Sequence, residues 1–310
     1  MHTTPTTEDR IWAVLAHLSA LSFGMGILLP VVGWSDQRRK SNYASFQCLQ
    51  ALGYQSVGFT VWVLSYLVIV IFGSIFLLAT LSSNDGANPN ALQSPGMIIF
   101  FIILFGLFAL YLILPVIAAI ACGLGRDFRY PILGDRLARY LELSPAQSAE
   151  EGAWLNEDHE FRWVAAMGHF SILIVIWGML APLTAWILQG KNSRFLKFQS
   201  IQTLVYQAVA TILFFVGMFL YGFGLLLLVA SMGAIGSADR SSSMGTIGIL
   251  LLAIFLLISI VLILIVPLLH ILGQWAGYRV LKGENYHYLL IGTLVEKQIS
   301  KQPIIKEKPA

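Results

Sequence analysis

The sequence predicts an all-α integral membrane protein built as a tandem duplication, each copy a re-entrant helical hairpin followed by two long transmembrane helices. Three observations predict it: apolar runs too long for a soluble core, a set of polar and helix-breaking residues that recurs at a fixed offset, and a one-sided distribution of positive charge. Of 310 residues, 57% are hydrophobic and 11% charged, against roughly 25% charged in ordinary soluble domains. Between Gln55 and Gly125 the one acidic or basic side chain is Asp85, in a Ser/Asn/Gly/Pro-rich stretch between two apolar runs. Each run exceeds the ~20 residues a helix needs to cross a hydrocarbon core of about 30 Å. The net charge of +3 comes from basic loops beside apolar segments, so it reads as topology and implies no nucleic-acid partner.

The duplication follows from matches at an offset of 152 residues. His17-Leu18-Ser19 faces His169-Phe170-Ser171, Pro30 faces Pro182, Trp34 faces Trp186, and Phe46-Gln47 faces Phe198-Gln199. Gln50 pairs with Gln202, Tyr54-Gln55 with Tyr206-Gln207, and Pro115 with Pro267. Six residues are then gained, and Gly125-Arg-Asp-Phe-Arg-Tyr130 faces Gly283-Glu-Asn-Tyr-His-Tyr288 at an offset of 158. Apolar stretches share Leu and Val trivially; His, Gln and Pro in one register mark a repeat.

The elements read in order as follows. Residues 1–10 lack the basic start of a signal peptide, so the first apolar segment is expected to stay in the protein. That segment (11–34, and 163–189 in the second copy) carries His-x-Ser and a Pro; a short basic loop follows, then two long apolar segments (about 44–82 and 97–124; about 196–234 and 245–275). Leu133, Leu137, Tyr140 and Leu141, with Arg136 and Arg139 beside them, have the spacing of a short helix lying on the membrane surface. The divisions are a first membrane repeat with its trailing interfacial helix (1–143), an acidic polar linker (144–160), a second repeat (161–300) and a Lys-rich tail (301–310).

Charge decides how the first segment of each copy is threaded. If all six segments cross, Lys and Arg divide ten against nine between the two sides; if each first segment turns back near its Gly/Pro break, they divide eighteen against one, Arg240. The positive-inside rule prefers the second arrangement, and Gly24, Gly26, Pro30 and Pro182 supply the break. Four crossings, two hairpins, cytoplasmic termini and a pseudo-two-fold axis along the membrane normal are therefore expected, in the inner (plasma) membrane. Six plain crossings in an inverted repeat stand as the alternative.

Gln47, Gln50 and Tyr54, like Gln199, Gln202 and Tyr206, fall on one helical face. They read as polar glue to the neighbouring hairpin, or else as the lining of a path. His17 and Ser19, with His169 and Ser171, read as helix-packing donors, because neither His has a partner at metal-ligand spacing; the unmatched His270 gets the same reading. Cys48 and Cys122 read as small buried hydrophobes. The Gly-x-x-aromatic-x-Tyr motif reads as a helix stop followed by headgroup-level aromatics. No carboxylate lies within an apolar segment, which disfavours ion coupling, and no nucleophile elbow, phosphate loop or zinc-protease motif occurs. No enzyme, cofactor or metal is expected.

Trp12-Ala13-x-Leu15-Ala16-His17-Leu18-Ser19-Ala20-Leu21, the Pro and Trp before a basic loop, Phe46-Gln47-x-x-Gln50-Ala51-Leu52 and Gly125 to Gly134 resemble a bacterial membrane domain family of unknown function. That family is related to the channel-like component of the chloroplast inner-envelope protein-import (Tic) machinery. The resemblance is stronger in the first copy, and Gln47 and Gln199 stand where the family often has His. It implies a non-enzymatic membrane module for protein translocation or membrane-complex assembly, with the bilayer and other membrane proteins as partners. A passive channel or carrier for a small neutral or lipidic solute is the competing expectation.

Overall fold

The computed structural model describes residues 4–82, 95–143, 155–235 and 243–300. Among them the first copy holds α1 (Thr7–Leu18), α2 (Leu28–Gln37), α3 (Asn42–Gly53), α4 (Phe59–Ser82), α5 (Pro95–Gly123) and α6 (Leu133–Tyr140). The second holds α7 (Glu157–Phe170), α8 (Leu180–Gln189), α9 (Arg194–Ile235), α10 (Ser243–Leu281) and α11 (Ile291–Ser300). The long helices form because their runs are apolar on all sides; among the short ones α1, α3 and α7 are started by side-chain caps. Thr6 and Asp9 make a reciprocal capping box on α1, Ser41 caps α3, and Asn156 caps α7, whose first turn holds Glu157, Asp158 and Glu160.

Each copy opens with a helical hairpin. In the first, Glu8 Oε1 at the start of α1 accepts from Gln37 Nε2 at the end of α2 (3.0 Å), and a β-carbon on Gly33 would lie 2.9 Å from the Trp12 ring. The helices are thus antiparallel, and the reversal between them is tight, since a β-carbon on Gly26 would overlap the Ser19 carbonyl oxygen. The second copy repeats this: a β-carbon on Gly178 would overlap the Ser171 carbonyl oxygen, and one on Gly168 would lie 3.4 Å from Pro182. The chain reverses through positive φ at the repeat-mates Phe23 (36°) and Val175 (53°). Pro30 and Pro182 do not break these helices; they sit in the first turns of α2 and α8, where an N–H has no intrahelical partner to lose.

Five stretches among the described residues are long and apolar enough to cross a membrane: Asn42–Ile75, Pro95–Gly123, Glu157–Gln189, Arg194–Leu227 and Leu250–Leu281. The third is no straight rod, since it contains the reversal at Ser171–Met179; the other four fall two to a copy. A π-helical turn at Tyr54–Gly58 joins α3 to α4, where α9 runs on without one. The six extra residues of the second copy lengthen α10 between Pro267 and its end.

The hairpins stand side by side, tip with tip and base with base. At the tips a β-carbon on Gly24 would overlap Ile174 and lie 3.2 Å from Trp177 Cβ; at the bases Arg38 Nη1 donates to Gln189 Oε1 (2.9 Å). Both copies therefore point the same way, the arrangement charge favoured over an inverted repeat.

Two expectations change. The trailing helix α6 packs on α3, and Leu137 and Leu141 are fully buried in protein, so its apolar face is not laid on lipid. The stretch read as linker ends earlier than its composition suggested: Leu155 is buried and α7 begins at Glu157. Residues 144–154, the tail 301–310, Asp85 and Arg240 lie outside the described residues.

Candidate functional site

Each copy carries one hydrogen-bonded network that gathers its His-x-Ser and its Gln/Tyr face. Gln47 Nε2 donates to Asp127 Oδ1 (2.9 Å) and to the Phe128 carbonyl (3.1 Å), which fixes its amide with Oε1 toward His17. His17 Nε2, 3.0 Å from that oxygen, must then carry the proton, and Nδ1 accepts from the Tyr130 hydroxyl at 3.0 Å. Gln50 Nε2 donates to Gln47 Oε1 (3.1 Å) and the Phe128 carbonyl (3.0 Å), while its Oε1 receives the Tyr130 N–H (2.9 Å). The Tyr54 ring stacks on Tyr130 with centroids 4.2 Å apart. Gln55 Nε2 ties α1 in through the Ala16 carbonyl (3.2 Å) and Ser19 Oγ (2.9 Å).

The second copy repeats this almost atom for atom. His169 lies 3.0 Å from Gln199 Oε1 and 2.9 Å from the Tyr288 hydroxyl; Gln199 donates to Asn285 Oδ1 (2.8 Å) and the Tyr286 carbonyl (3.1 Å). Gln202 donates to Gln199 Oε1 (2.6 Å) and the Tyr286 carbonyl (2.7 Å), and accepts from the Tyr288 N–H (3.3 Å). Tyr206 stacks on Tyr288 at 3.8 Å, and Gln207 donates to the Gly168 carbonyl (2.7 Å) and to Ser171 Oγ at 3.3 Å. Both His, Gln47, Gln50, Gln199 and Gln202 are fully buried. With each ring nitrogen committed, neither His has a lone pair left to offer.

Tyr54 and Tyr206 reach one bond further, with a difference between copies. Tyr54 OH donates to the Tyr111 carbonyl (2.8 Å). Pro115 stands four residues on inside α5 and has no N–H to give that carbonyl. Tyr206 OH donates to the Leu269 carbonyl (2.8 Å), whose helical donor at position 273 is Gly and keeps its N–H.

The structure brings the Gln/Tyr face and the His-x-Ser of each copy together and adds to them a half that sequence reasoning missed. Tyr130 and Tyr288 are 2% exposed and belong to the network, so the Gly-x-x-aromatic-x-Tyr motif is no headgroup anchor at its Tyr. The recurrence of that motif at offset 158 was the signal. His270 is bound to its own helix at the Val266 carbonyl (2.7 Å), and Cys48 and Cys122 are free and buried.

A second polar cluster forms the seam between copies, from charges that looked like loop and linker. Trp34 Nε1 donates to Glu160 Oε1 (3.1 Å), and the Arg38 guanidinium lies 3.6 Å from Glu160 Oε2, 2.7 Å from Glu157 Oε1, and 4.2 Å over the Phe161 ring. Gln189 donates to Ser35 Oγ (2.6 Å). Trp34, Arg38, Glu160 and Gln189 are all buried. Beside them Trp163 Nε1 donates to the Leu49 carbonyl (2.9 Å), its ring filling the space above Gly53.

The model of the magnetosome magnetite crystal formation protein family matches residues 8–137 and again residues 160–295, so the chain belongs to that family and carries its domain twice. No curated protein and no solved structure matches the chain.

Proposed function

We propose that this family member is a non-enzymatic membrane scaffold, which assembles with other membrane proteins in the membrane around a forming magnetite crystal. One observation carries the reading: the polar side chains available to line a path or relay a proton are consumed by bonds inside each copy. Such a base holds a hairpin and two long helices in fixed relation and leaves their outer surfaces for contacts. The family's name supplies the setting, and the motif likeness to a protein-import component supports an assembly or translocation role over solute passage. The basic loops support a cytoplasmic position for the termini and for the chain between the copies.

Cross-linking in native membranes followed by identification of neighbours tests this directly. Reproducible membrane-protein neighbours, and altered crystal size or number in cells lacking the chain, are expected. A chain that extracts gently as a lone monomer with no cross-linked neighbour would sink the scaffold reading. Solute flux in reconstituted vesicles that is lost on Gln50→Leu plus Gln202→Leu, with the fold intact, would replace it with a carrier.

A further inference from the structure

The molecule is far wider on one side of Tyr54 and Tyr206 than on the other. The hairpin reversals stand at the level of these side chains: Gln55 Nε2, one residue past Tyr54, donates to Ser19 Oγ at the first reversal, and Gln207 Nε2 to Ser171 Oγ at the second. The chain after the last long helix of each copy climbs to the same level, where Tyr130 stacks on Tyr54 and Tyr288 on Tyr206, and turns back there into α6 and α11. On the side of the hairpin bases each copy therefore holds its hairpin pair, two long-helix segments and a trailing helix, ten helical segments in all among the described residues. On the other side α4, the first part of α5, the later part of α9 and the first part of α10 continue, four segments. A helix with its side chains is about 10 Å across, so the cross-section more than halves at this step.

The wide half faces lipid, not water. The exposed apolar stripe of α5 does not stop at Tyr111 but runs on through Ile117 and Ile120 to Leu124, and that of α10 runs past Leu269 through Ile271 to Trp275. The turns at the step are its most apolar points. Leu289 and Leu290, 90% and 79% exposed, are the two most exposed large apolar side chains among the described residues, and their repeat-mates Pro131 and Ile132 are exposed too. Ile132 and Leu290 both sit at positive φ, 66° and 65°, a region that side chains of this shape rarely adopt. The α1 arm of the hairpin, 12 residues, is about 18 Å long, close to one leaflet of a bilayer roughly 40 Å thick with its headgroups. Exposed Arg126 and Lys282, just past the ends of α5 and α10, then fall at headgroup level.

We propose that this chain is a wedge seated in one leaflet, and that it favours and stabilises bilayer that is convex on the side of its hairpin bases. A body more than twice as wide in one leaflet as in the other spreads the lipids of the wide side, and bending toward that side relieves the strain. Insertion of apolar groups into one leaflet is curvature-sensitive for the same reason. The partner is the lipid surface itself, recognised by its shape. With the bases cytoplasmic, the favoured curvature is that of a small compartment enclosed by the cytoplasm. The inference uses the position of the step and not the scaffold reading, so cross-linked neighbours and a curvature preference can each be found without the other.

The full chain, fluorescently tagged at its C-terminus and reconstituted at high dilution in giant vesicles of phosphatidylcholine and phosphatidylglycerol, tests this when a membrane tube is drawn outward. A membrane-impermeant quencher separates molecules whose bases face out from those whose bases face in. Outward-facing molecules are expected to be several-fold denser in the tube than on the parent vesicle, increasingly so as the tube narrows, and inward-facing ones to be depleted. Equal density in tube and vesicle, or the same sorting in both orientations, would overturn the wedge. A second measurement asks whether the step lies in lipid. A fluorophore on Leu290→Cys, with the buried Cys48 and Cys122 in place, is expected to be quenched by lipid spin-labelled near the top of its acyl chain; quenching by aqueous iodide instead would put the wide half in water and overturn the proposal as well.

Discussion

Within the copies, repeat-mates do the same thing; at the seam, they do not. His17 and His169 hold equivalent Gln and Tyr partners at nearly the same distances, with Thr203 Oγ1 beside His169 as well, whereas Glu8 binds Gln37 of its own hairpin and Glu160 takes Trp34 and Arg38 from the other copy. The difference separates two requirements. A hairpin, a long helix and the turn after the last helix must be joined in each copy for that copy to exist, so both carry the full set of donors and acceptors. The seam is made once, and only one side of each repeated pair is needed for it.

The largest expected effect breaks this contrast at the seam. Glu160→Ala strands the buried Trp34 N–H and removes the buried one of Arg38's two carboxylates, leaving Arg38 with Glu157 and Gln189, which costs about 3 kcal/mol, while Glu8→Ala at the exposed edge costs under ~1 kcal/mol. The midpoints of thermal unfolding in mild detergent measure both. Equal losses would mean that the buried clasp contributes no more than its surface counterpart. The tight reversal of each hairpin predicts the reverse pattern, parity: Gly26→Ala and Gly178→Ala each force a β-carbon onto a carbonyl oxygen, costing up to about 3 kcal/mol apiece.

The networks predict parity at smaller size. His17→Phe strands the Tyr130 hydroxyl and His169→Phe the Tyr288 hydroxyl, about 2 kcal/mol each, and the two losses should agree within roughly 0.5 kcal/mol and add in the double variant. A loss confined to one copy would show that the shared geometry is not shared energetics.

How much of this was legible beforehand depended on sequence distance. The duplication could be read because His, Gln, Gly and Pro recur in one register 152 residues apart, and the shared face of Gln47, Gln50 and Tyr54 because its members lie within about two turns of one helix. Tyr130 and Tyr288 could not be placed, because they lie about eighty residues beyond the Gln side chains they meet, and an aromatic after a helix end is more often at a membrane surface. Arg38 and Glu160 were hidden by their surroundings. One sits in a basic loop and the other in an acidic stretch, where solvated charge is the ordinary outcome, and only the side-by-side placement of the hairpins brings them together. Gly26 and Gly178 were legible in principle, since they share the offset of 152; their mutual match carried the position of the tight reversal.

The smallest expected effect separates two tyrosines whose networks are otherwise alike. Tyr54 donates to a carbonyl that Pro115 has left without its helical donor, so Tyr54→Phe strands a buried acceptor and costs about 1 to 3 kcal/mol. Tyr206 donates to a carbonyl that retains its own helical N–H, because the six added residues of α10 shift the contact past Pro267. Tyr206→Phe therefore removes a second, supplementary bond and costs about 0.5 kcal/mol. Stacking on Tyr130 or Tyr288 survives both changes, which isolates the hydroxyl. Restoring an N–H with Pro115→Ala should shrink the Tyr54→Phe penalty toward that of Tyr206→Phe; if the penalty is unchanged in the Pro115→Ala background, the proline is not what makes the first copy's tyrosine the more important of the two.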